Sequence, residues 1–232
     1  FKRQLDAGAW GITFATVKQL AVGIKAGTRR AVIANQVVGD ADLQGLQTLF
    51  ALQADLRVVF LLDSIAQLEL IEQWSGAHPG SRPFEVLLEI GLPGGRTGCR
   101  THADALALAA RVHASEALKL VGIECYEGMG IDGTTAHDEP FARALMDRVE
   151  AVAREAAPWF ETDEVLISAG GSAVFDLVAQ RLSPALGRPV RGLLRSGCYV
   201  THDHGSYKRY LKVVDERGLC TPGDSLRPAM EV

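Results

Sequence analysis

The sequence lacks two features that would place the protein in a specialised class. No apolar run approaches the roughly 20 residues that a membrane-spanning helix needs, which argues against an integral membrane protein. Lysine and arginine do not cluster in any basic run, and the formal net charge of the 232 residues is −4. We therefore expect neither a surface that binds nucleic acid by neutralising phosphates nor a nucleic-acid partner.

Cysteine is scarce and scattered. The four thiols, at Cys99, Cys125, Cys198 and Cys220, form no CxxC pair. This spacing favours reduced thiols in a cytoplasmic enzyme over a disulfide scaffold or a structural zinc site. The chain also opens on Phe1 instead of methionine, inside a stretch that reads as a helix. We therefore expect a further segment to precede residue 1.

Short β-rich runs alternate with longer helical stretches along the chain, and 47% of the side chains are hydrophobic. The predicted strands are Trp10–Ala15, Arg30–Gln36, Leu56–Leu62, Phe84–Ile90, Leu118–Cys125, Val165–Ser168 and Val190–Val200. The predicted helices are Val17–Ala26, Asp40–Ala54, Ile65–Trp74, His102–Ala117, Glu139–Phe160 and Ala173–Leu182. This alternation indicates an α/β fold with a parallel sheet, and a closed (β/α)8 TIM-type barrel is favoured over an open sheet.

A TIM-type barrel has eight strands, and seven are predicted here. The half-helix at the start of the chain predicts that strand 1 lies upstream of Phe1. The tail Leu226–Val232 follows a Cys-Thr-Pro-Gly turn and reads as a new strand. We therefore predict a barrel over residues 1–222, lacking its first strand, and the start of a C-terminal β domain over residues 223–232.

The residues that end each predicted strand are the first candidates for a functional site, because active sites of parallel barrels lie at the carboxyl ends of the strands. They are rich in Gly, Ser, Arg, Tyr and His. The set is Thr16; Asn35 and Gln36; Asp63 and Ser64; Gly91–Arg96; Tyr126–Gly128; Ser168–Ser172; and Ser196–His204. Within it we predict a substrate pocket lined by Thr16, Asn35, Gln36, His202 and His204.

Two of these strand ends suit a phosphate group. Their predicted ligands are Ser168, Gly170, Gly171 and Ser172 after one strand, and Ser196, Gly197, Cys198 and Tyr199 after the next. Glycine lets backbone N–H groups approach an anion, and a helix N-terminus adds favourable partial charge. Either segment alone also fits an ordinary turn, but the two on consecutive strands favour a phosphate site.

Other polar residues of the set have two interpretations each. Arg96 lies in a glycine-rich loop and suits an anionic oxygen, although a solvated surface arginine has the same pattern. Tyr126 follows a strand directly and either packs on a planar ring or belongs to the core. His202 and His204 have a spacing that suits zinc, but no third ligand is identifiable, so pocket lining is favoured. Asp63 precedes Ser64, and a helix cap is its simpler role.

Several segments, taken in order, resemble the D-threonine aldolase/D-serine dehydratase family. They are Arg3–Ile12, Ala15–Val17, Ile33–Gly39, Leu88–Gly91, Gly95–Gly98, Ser168–Ser172 and Leu194–Val200. The resemblance covers nearly the whole chain, and the ordered set is more specific than any single piece. It implies a fold-type III enzyme that uses pyridoxal 5′-phosphate (PLP), with an alanine-racemase-like barrel followed by a β domain.

The resemblance also implies roles for individual residues. PLP would lie across the barrel mouth, with its phosphate held by Gly170–Ser172 and Gly197–Tyr199, Arg96 facing the phenolic oxygen and Tyr126 near the pyridine ring. The implied activity is dehydration and deamination of D-serine or a related small D-3-hydroxy amino acid to a 2-oxo acid and ammonia. In such dehydratases a divalent metal, typically Zn²⁺, assists departure of the hydroxyl. A homodimer is implied as well.

Some expected residues lie outside the chain. The family's Schiff-base lysine ends strand 1, so it is expected upstream of Phe1, and none of the six lysines here ends a predicted strand. The family's metal ligands, a His and a Cys, are expected after Val232, so no metal site is expected within the chain. Gly91 stands where relatives often have Asp. Three alternatives stay open: a D-threonine-type aldolase, a non-catalytic PLP-binding barrel protein, and a barrel enzyme that acts on a phosphorylated metabolite.

Overall fold

The computed structural model describes residues 1–128, 130–170, 173–195, 197 and 205–219. Strands and helices alternate along these ranges. The strands are β1 (Ile12–Phe14), β2 (Arg30–Gln36), β3 (Arg57–Leu62), β4 (Phe84–Ile90), β5 (Leu118–Cys125), β6 (Val165–Ala169) and β7 (Val190–Leu194). The helices are α1 (Lys2–Asp6), α2 (Val17–Lys25), α3 (Asp40–Leu52), α4 (Ile65–Ala77), α5 (His102–His113), α6 (Thr135–Glu155), α7 (Phe175–Ala179) and α8 (Ser206–Arg217), with a 3-10 turn at Ala157–Trp159.

The seven strands form one parallel sheet whose strand order equals the order in the chain. A sheet that winds in one direction with a helix between successive strands has the topology of a (β/α) barrel. Within the described residues no hydrogen-bonded pairing joins β7 to β1. These two edges flank a cavity of about 700 Å³, lined by Trp10–Thr13 on one side and Gly192–Arg195 on the other. The eighth strand stays a prediction.

Apolar side chains cover both faces of the sheet, which is why the strands read as nearly continuous hydrophobic runs. A large outer cluster packs the strands against the helices and includes Phe60, Leu68, Ile71, Leu108 and Val149. A smaller cluster fills the inner face of the curved sheet. Its members are Val32, Val59, Leu61, Leu87, Val121, Leu166 and Leu193.

A polar layer lies next to the inner apolar cluster, nearer the carboxyl ends of the strands. Glu89 of β4 is in register with Glu124 of β5, which is in register with Ser168 of β6. Because alternate residues of a strand share a face, Glu89 follows Leu87 and Ser168 follows Leu166 on the inner side. The buried carboxylates of Glu89 and Glu124 next to an apolar cluster make this end of the sheet the candidate location of a functional site.

Three strands, β2, β4 and β5, have the predicted bounds. Helix α6 begins four residues before the prediction and ends at Glu155, since Pro158 lacks the amide hydrogen that a continuing helix needs. The predicted helix Ala173–Leu182 is shorter and comprises only α7. Helix α8 was not predicted, because its sequence is dominated by polar residues and Val214 is its one buried apolar residue among those described.

Two further expectations concern the C-terminal residues and membrane-spanning helices. The predicted start of a β domain at residues 223–232 lies outside the described residues. No described helix is both long enough and apolar enough to cross a membrane.

Candidate functional site

A cleft of about 430 Å³ opens at the carboxyl ends of β4 and β5. One wall is the glycine-rich loop that follows β4, residues 91–98, and the other is the first half of α6, where Phe141 and Leu145 face the cleft. Glu89, Arg96, Thr97 and Tyr126 supply its polar groups. Candidate residues were predicted after both strands, and the structure brings them to one cavity.

Arg96 and Tyr126 meet in this cleft. The guanidinium carbon of Arg96 lies 4.6 Å from the centre of the Tyr126 ring, a cation–π geometry. The Tyr126 ring also packs against glycine backbone, because a Cβ atom at Gly170 would lie 2.6 Å from its Cδ2 and one at Gly128 would lie 2.5 Å from its hydroxyl. Residues following β4, β5 and β6 therefore converge on one aromatic ring.

The 91–98 loop folds back onto the strand that it leaves. The amide of Gly91 donates to the carbonyl of Cys99 at 3.1 Å, and the amide of Cys99 donates to the carbonyl of Glu89 at 2.8 Å. Gly98 has a φ of +89°, and a Cβ atom there would lie 2.7 Å from the Cα of Gly91. Only glycine suits this close approach of two backbone segments. The loop thereby has a defined shape that presents Arg96 and Thr97.

Glu89 is buried beneath this loop, and sequence analysis missed it. One carboxylate oxygen accepts the hydroxyl of Thr97, and the other accepts Nε2 of Gln36 at 2.5 Å. Burial raises the pKa of Glu89, and the neighbouring Asp63 raises it further, while the Thr97 and Gln36 hydrogen bonds and the Arg96 charge act in the opposite direction. The signal in the sequence is an acidic residue inside an otherwise apolar strand.

A second buried network lies one strand further on. Arg195, which directly follows β7, forms an ion pair with Glu124 and donates to the hydroxyl of Ser168 at 2.9 Å. The Ser168 hydroxyl in turn donates to the carbonyl of Leu193 at 3.0 Å. Burial lowers the pKa of Arg195 to about 10. Ser168, predicted as a cofactor ligand, lies in the structure as a buried support for Arg195.

Glu124 has a buried oxygen, Oε2, that accepts no hydrogen bond from the described residues. The ion pair with Arg195 engages the other oxygen. Buried carboxylate oxygens in proteins are normally hydrogen-bonded, so this oxygen can accept one more donor. Neither Glu124 nor Arg195 was singled out from the sequence, since a charged residue within or just after a strand gives no indication of its partner.

Glu127 lies beside the predicted phosphate turn. It is fully buried, and burial raises its pKa to about 7. The backbone amides of Gly170 and of Glu127 itself donate to this carboxyl group and moderate the rise in pKa. Because the Gly170 amide donates to a carboxyl group with a pKa of about 7, the protonation state of Glu127 affects a hydrogen bond to the turn after β6.

The predicted phosphate turn is partly outside the described residues. Gly170 lies against Tyr126, whereas Gly171, Ser172, Ser196, Cys198 and Tyr199 are not among the described residues. Gly197 is exposed and lines the cavity between β7 and β1 together with Arg195. Beyond the turn, Arg217 of α8 donates to the carbonyl of Ala173 at 3.0 Å and pairs with buried Asp176. Helix α8 thus anchors the chain just after the turn.

The predicted substrate-pocket residues have three different positions. The Thr16 hydroxyl caps α2 by accepting the amide of Gln19 at 3.2 Å. Asn35 is exposed and accepts the amide of Gln36 at 3.0 Å, while the Gln36 side chain binds Glu89. His202 and His204 lie outside the described residues. Gln36 is therefore the member of this set that the structure joins to the polar groups of the cleft.

One group of side chains has the composition of a metal site. Ligand atoms of Asp132, His137 and Asp138 lie within 4.8 Å of one another before and at the start of α6. The Asp138 carboxylate accepts the amides of Asp132 at 3.0 Å and Gly133 at 3.1 Å, so its oxygens already hold the backbone of the turn. Sequence analysis did not predict this group, and its contacts are those of a helix-start turn.

None of the six lysines, all of which are among the described residues, lines the cleft. Lys2, Lys18 and Lys25 lie on α1 and α2, Lys119 is exposed at the start of β5, and Lys208 and Lys212 lie on α8. The amine that a PLP enzyme needs is thus not supplied to this cleft by residues 1–232.

The sequence of the chain matches the model of a known protein family. The family model of the alanine racemase N-terminal domain matches residues 2–185. The chain belongs to this family. The match is consistent with the parallel α/β topology described above. A search of curated proteins gave no match.

Solved structures with a similar fold include an aldolase, a dehydratase and a racemase. D-threonine aldolase from Filomicrobium marinum has a TM-score of 0.68 and 24% identity, covering 97% of this chain and 55% of that protein. D-threo-3-hydroxyaspartate dehydratase has a TM-score of 0.63 and 24% identity, with coverages of 94% and 51%. Alanine racemase from E. faecalis has a TM-score of 0.62 and 18% identity, with coverages of 96% and 51%. The chain spans about half the length of each protein. Together, the family match and this shared fold confirm the alanine-racemase-like fold that the resemblance implied from the sequence.

Proposed function

We propose that residues 1–232 form the PLP-binding barrel of a lyase that acts on small D-amino acids. The observation that carries this proposal is the convergence of Arg96, Tyr126 and Gly170 at the carboxyl ends of β4, β5 and β6 in an alanine-racemase-type barrel. Dehydration and deamination of D-serine or a related D-3-hydroxy amino acid is the preferred reaction. The dehydratase and the aldolase among the similar structures support this class.

The residues present fit the cofactor. Glycine at residue 170 lets the turn after β6 lie directly against the Tyr126 ring, because a Cβ atom at this position would collide with that ring. Arg96 adds a guanidinium for an anionic oxygen, and Tyr126 adds an aromatic face for a planar ring. PLP, when bound, supplies the electron sink for bond cleavage next to the amino group.

The residues of the cleft and its surroundings then have the following roles. Arg96 would face the phenolic oxygen of the cofactor, Tyr126 would border its ring, and the segments Gly170–Ser172 and Gly197–Tyr199 would hold its phosphate. Glu89, fixed by Gln36 and Thr97, holds the base of the loop that carries Arg96. The buried ion pair of Arg195 and Glu124 lies in the same polar layer as Glu89, because Glu124 is in register with Glu89. The lysine that bonds the cofactor is proposed to precede Phe1.

The full-length natural protein offers a direct test of this proposal. PLP is titrated into the wild type and into Arg96→Met and Tyr126→Leu, and binding is followed by absorbance. We expect saturable binding by the wild type that either substitution weakens about tenfold, the loss of one charged or aromatic contact. Ammonia release from D-serine, D-threonine and 3-hydroxy-D-aspartate then separates deamination from aldol cleavage, which releases an aldehyde. Absence of PLP binding by the wild type would reject the proposal.

A further inference from the structure

Two arginines outside the predicted site hold the 91–98 loop by its carbonyl groups. Arg148 of α6 donates to the carbonyl of Gly91 and, at 2.7 Å, to the carbonyl of Cys99. Arg100 donates to the carbonyls of Leu92 at 2.9 Å and Thr97 at 2.8 Å. Four backbone acceptors of this loop and its flanks are therefore satisfied by guanidinium groups.

The partners of Arg148 are unusual for an arginine on the surface of a helix. Among the described residues it forms no ion pair with an acidic side chain, whereas Arg143 on the same helix pairs with Glu139 at 2.6 Å. Arg148 is half-buried, and burial lowers its pKa. Its charge is thus directed at the two carbonyls where the loop leaves and rejoins the sheet. A lysine offers no planar fork that spans two such acceptors.

Arg148 also connects the two walls of the cleft. It lies one turn after Leu145, which faces the cavity from α6, and it reaches the loop that forms the opposite wall. The same loop carries Arg96 over Tyr126 and places the Thr97 hydroxyl on Glu89. Loss of the two Arg148 hydrogen bonds would therefore alter the position of Arg96 without removing any side chain that faces the cleft.

We propose that Arg148 is a positioning residue of the cofactor site, which acts by clamping the 91–98 loop so that Arg96 stays over Tyr126. This inference rests on the proposed PLP-binding function. Arg148 is not itself among the residues that line the cleft, and it meets the lining only through the backbone carbonyl of Gly91. Its effect on a ligand must consequently pass through the loop.

The test compares Arg148→Met and Arg148→Lys with the matched control Arg143→Met in the full-length natural protein. Amide hydrogen exchange at Gly91, Gly98 and Cys99 reports the loop directly and requires no cofactor. PLP affinity and the absorption spectrum of bound PLP, which responds to charge beside the phenolic oxygen, report the site. Arg148→Lys serves as the second variant should Arg148→Met fail to fold.

We expect Arg148→Met to speed exchange in the loop and to weaken PLP binding about tenfold, the loss of one charged hydrogen bond. Exchange in β4 and β5 should stay as in the wild type, the absorption spectrum should change, and Arg148→Lys should fall between the two. Two results would overturn this inference but not the proposed function. One is hydrogen exchange in the loop that stays at the wild-type rate, and the other is faster exchange in the loop with wild-type PLP affinity and absorption spectrum. A wild type that binds no PLP would overturn the proposed function and this inference with it.

Discussion

The guanidinium of Arg96 lies 4.6 Å above the centre of the Tyr126 ring, and the two residues come from consecutive βα loops of the barrel. Arg96 is exposed, so this stacking fixes a charged group that would otherwise move freely in solvent. The same ring packs against Gly170. An anion with a planar ring would meet a guanidinium and an aromatic face within one cleft.

Removing Arg96 from its stack on Tyr126 should affect ligand binding much more than the free energy of unfolding. Arg96→Met is expected to weaken PLP binding about tenfold, while the free energy of unfolding falls by no more than about 1 kcal/mol, the value of a cation–π contact. Titration by absorbance and urea denaturation measure the two effects. Arg30→Met, which removes a similar contact with Trp10 at 5.5 Å, is the matched control and should leave PLP affinity unchanged. Equal affinity of the Arg96 variant and the wild type would remove Arg96 from the site.

Two glycines of the 91–98 loop separate the effect of φ from the effect of close packing. Gly94 and Gly98 both have positive φ, but a Cβ atom would meet nothing within 4 Å at Gly94 and the backbone of Gly91 at Gly98. We expect Gly94→Ala to destabilise the protein by about 1 kcal/mol and Gly98→Ala by on the order of 3 kcal/mol. Urea denaturation gives both values. Similar losses for the two variants would show that the loop does not fold back tightly on β4.

The buried carboxyl of Glu127 predicts a pH-dependent stability. Its pKa rises from 4.5 to about 7 on folding, so the folded state holds a proton that the unfolded state releases. The free energy of unfolding should therefore fall as pH rises from about 4.5 to about 7 and then level off, by on the order of 3 kcal/mol at about 1.4 kcal/mol per pKa unit.

Glu127→Gln isolates this contribution, because glutamine stays neutral at every pH. Urea denaturation at about pH 5 should give similar stabilities for the variant and the wild type, and at about pH 8 the variant should be more stable by about 2–3 kcal/mol. An equal difference at both pH values would mean that Glu127 does not change protonation in this range.

The pair of Arg217 and Asp176 should be important for the attachment of α8. Both side chains are almost fully buried, and the Asp176 carboxylate accepts two hydrogen bonds from Arg217 at 2.6 and 2.7 Å. Asp176→Asn should lower the free energy of unfolding by about 3–5 kcal/mol, since it leaves a buried charge poorly compensated. Asp147→Asn, which breaks an exposed contact with Arg181, should cost less than about 1 kcal/mol. Comparable losses would contradict the burial of the first pair.

The strands and the main candidate residues were predictable from the sequence for a simple reason. Strands such as Phe84–Ile90 and Leu118–Cys125 are apolar runs, and the residues that follow parallel strands share one end of the sheet. Arg96, Tyr126 and Gly170 could thus be placed at the same rim before any contact was known. Their stacking distance depends on side-chain and loop conformation, which spacing alone does not determine.

The supporting residues were not predictable in the same way. Glu89, Glu124 and Arg195 are charged residues in or next to apolar strands, and their partners lie on other strands. Arg148 is one of several arginines on α6, and no periodicity distinguishes the one that reaches a loop. Such contacts depend on tertiary distances between segments far apart in the chain.

The central claim is that this barrel binds PLP, and borohydride reduction tests it most directly. The full-length natural protein is saturated with PLP, reduced, digested and searched by mass spectrometry for a pyridoxyl-lysine. We predict a single adduct on a lysine preceding Phe1, with none on the six lysines of residues 1–232, because none of these lines the cleft. No adduct, or adducts confined to exposed lysines such as Lys18 and Lys119, would contradict it.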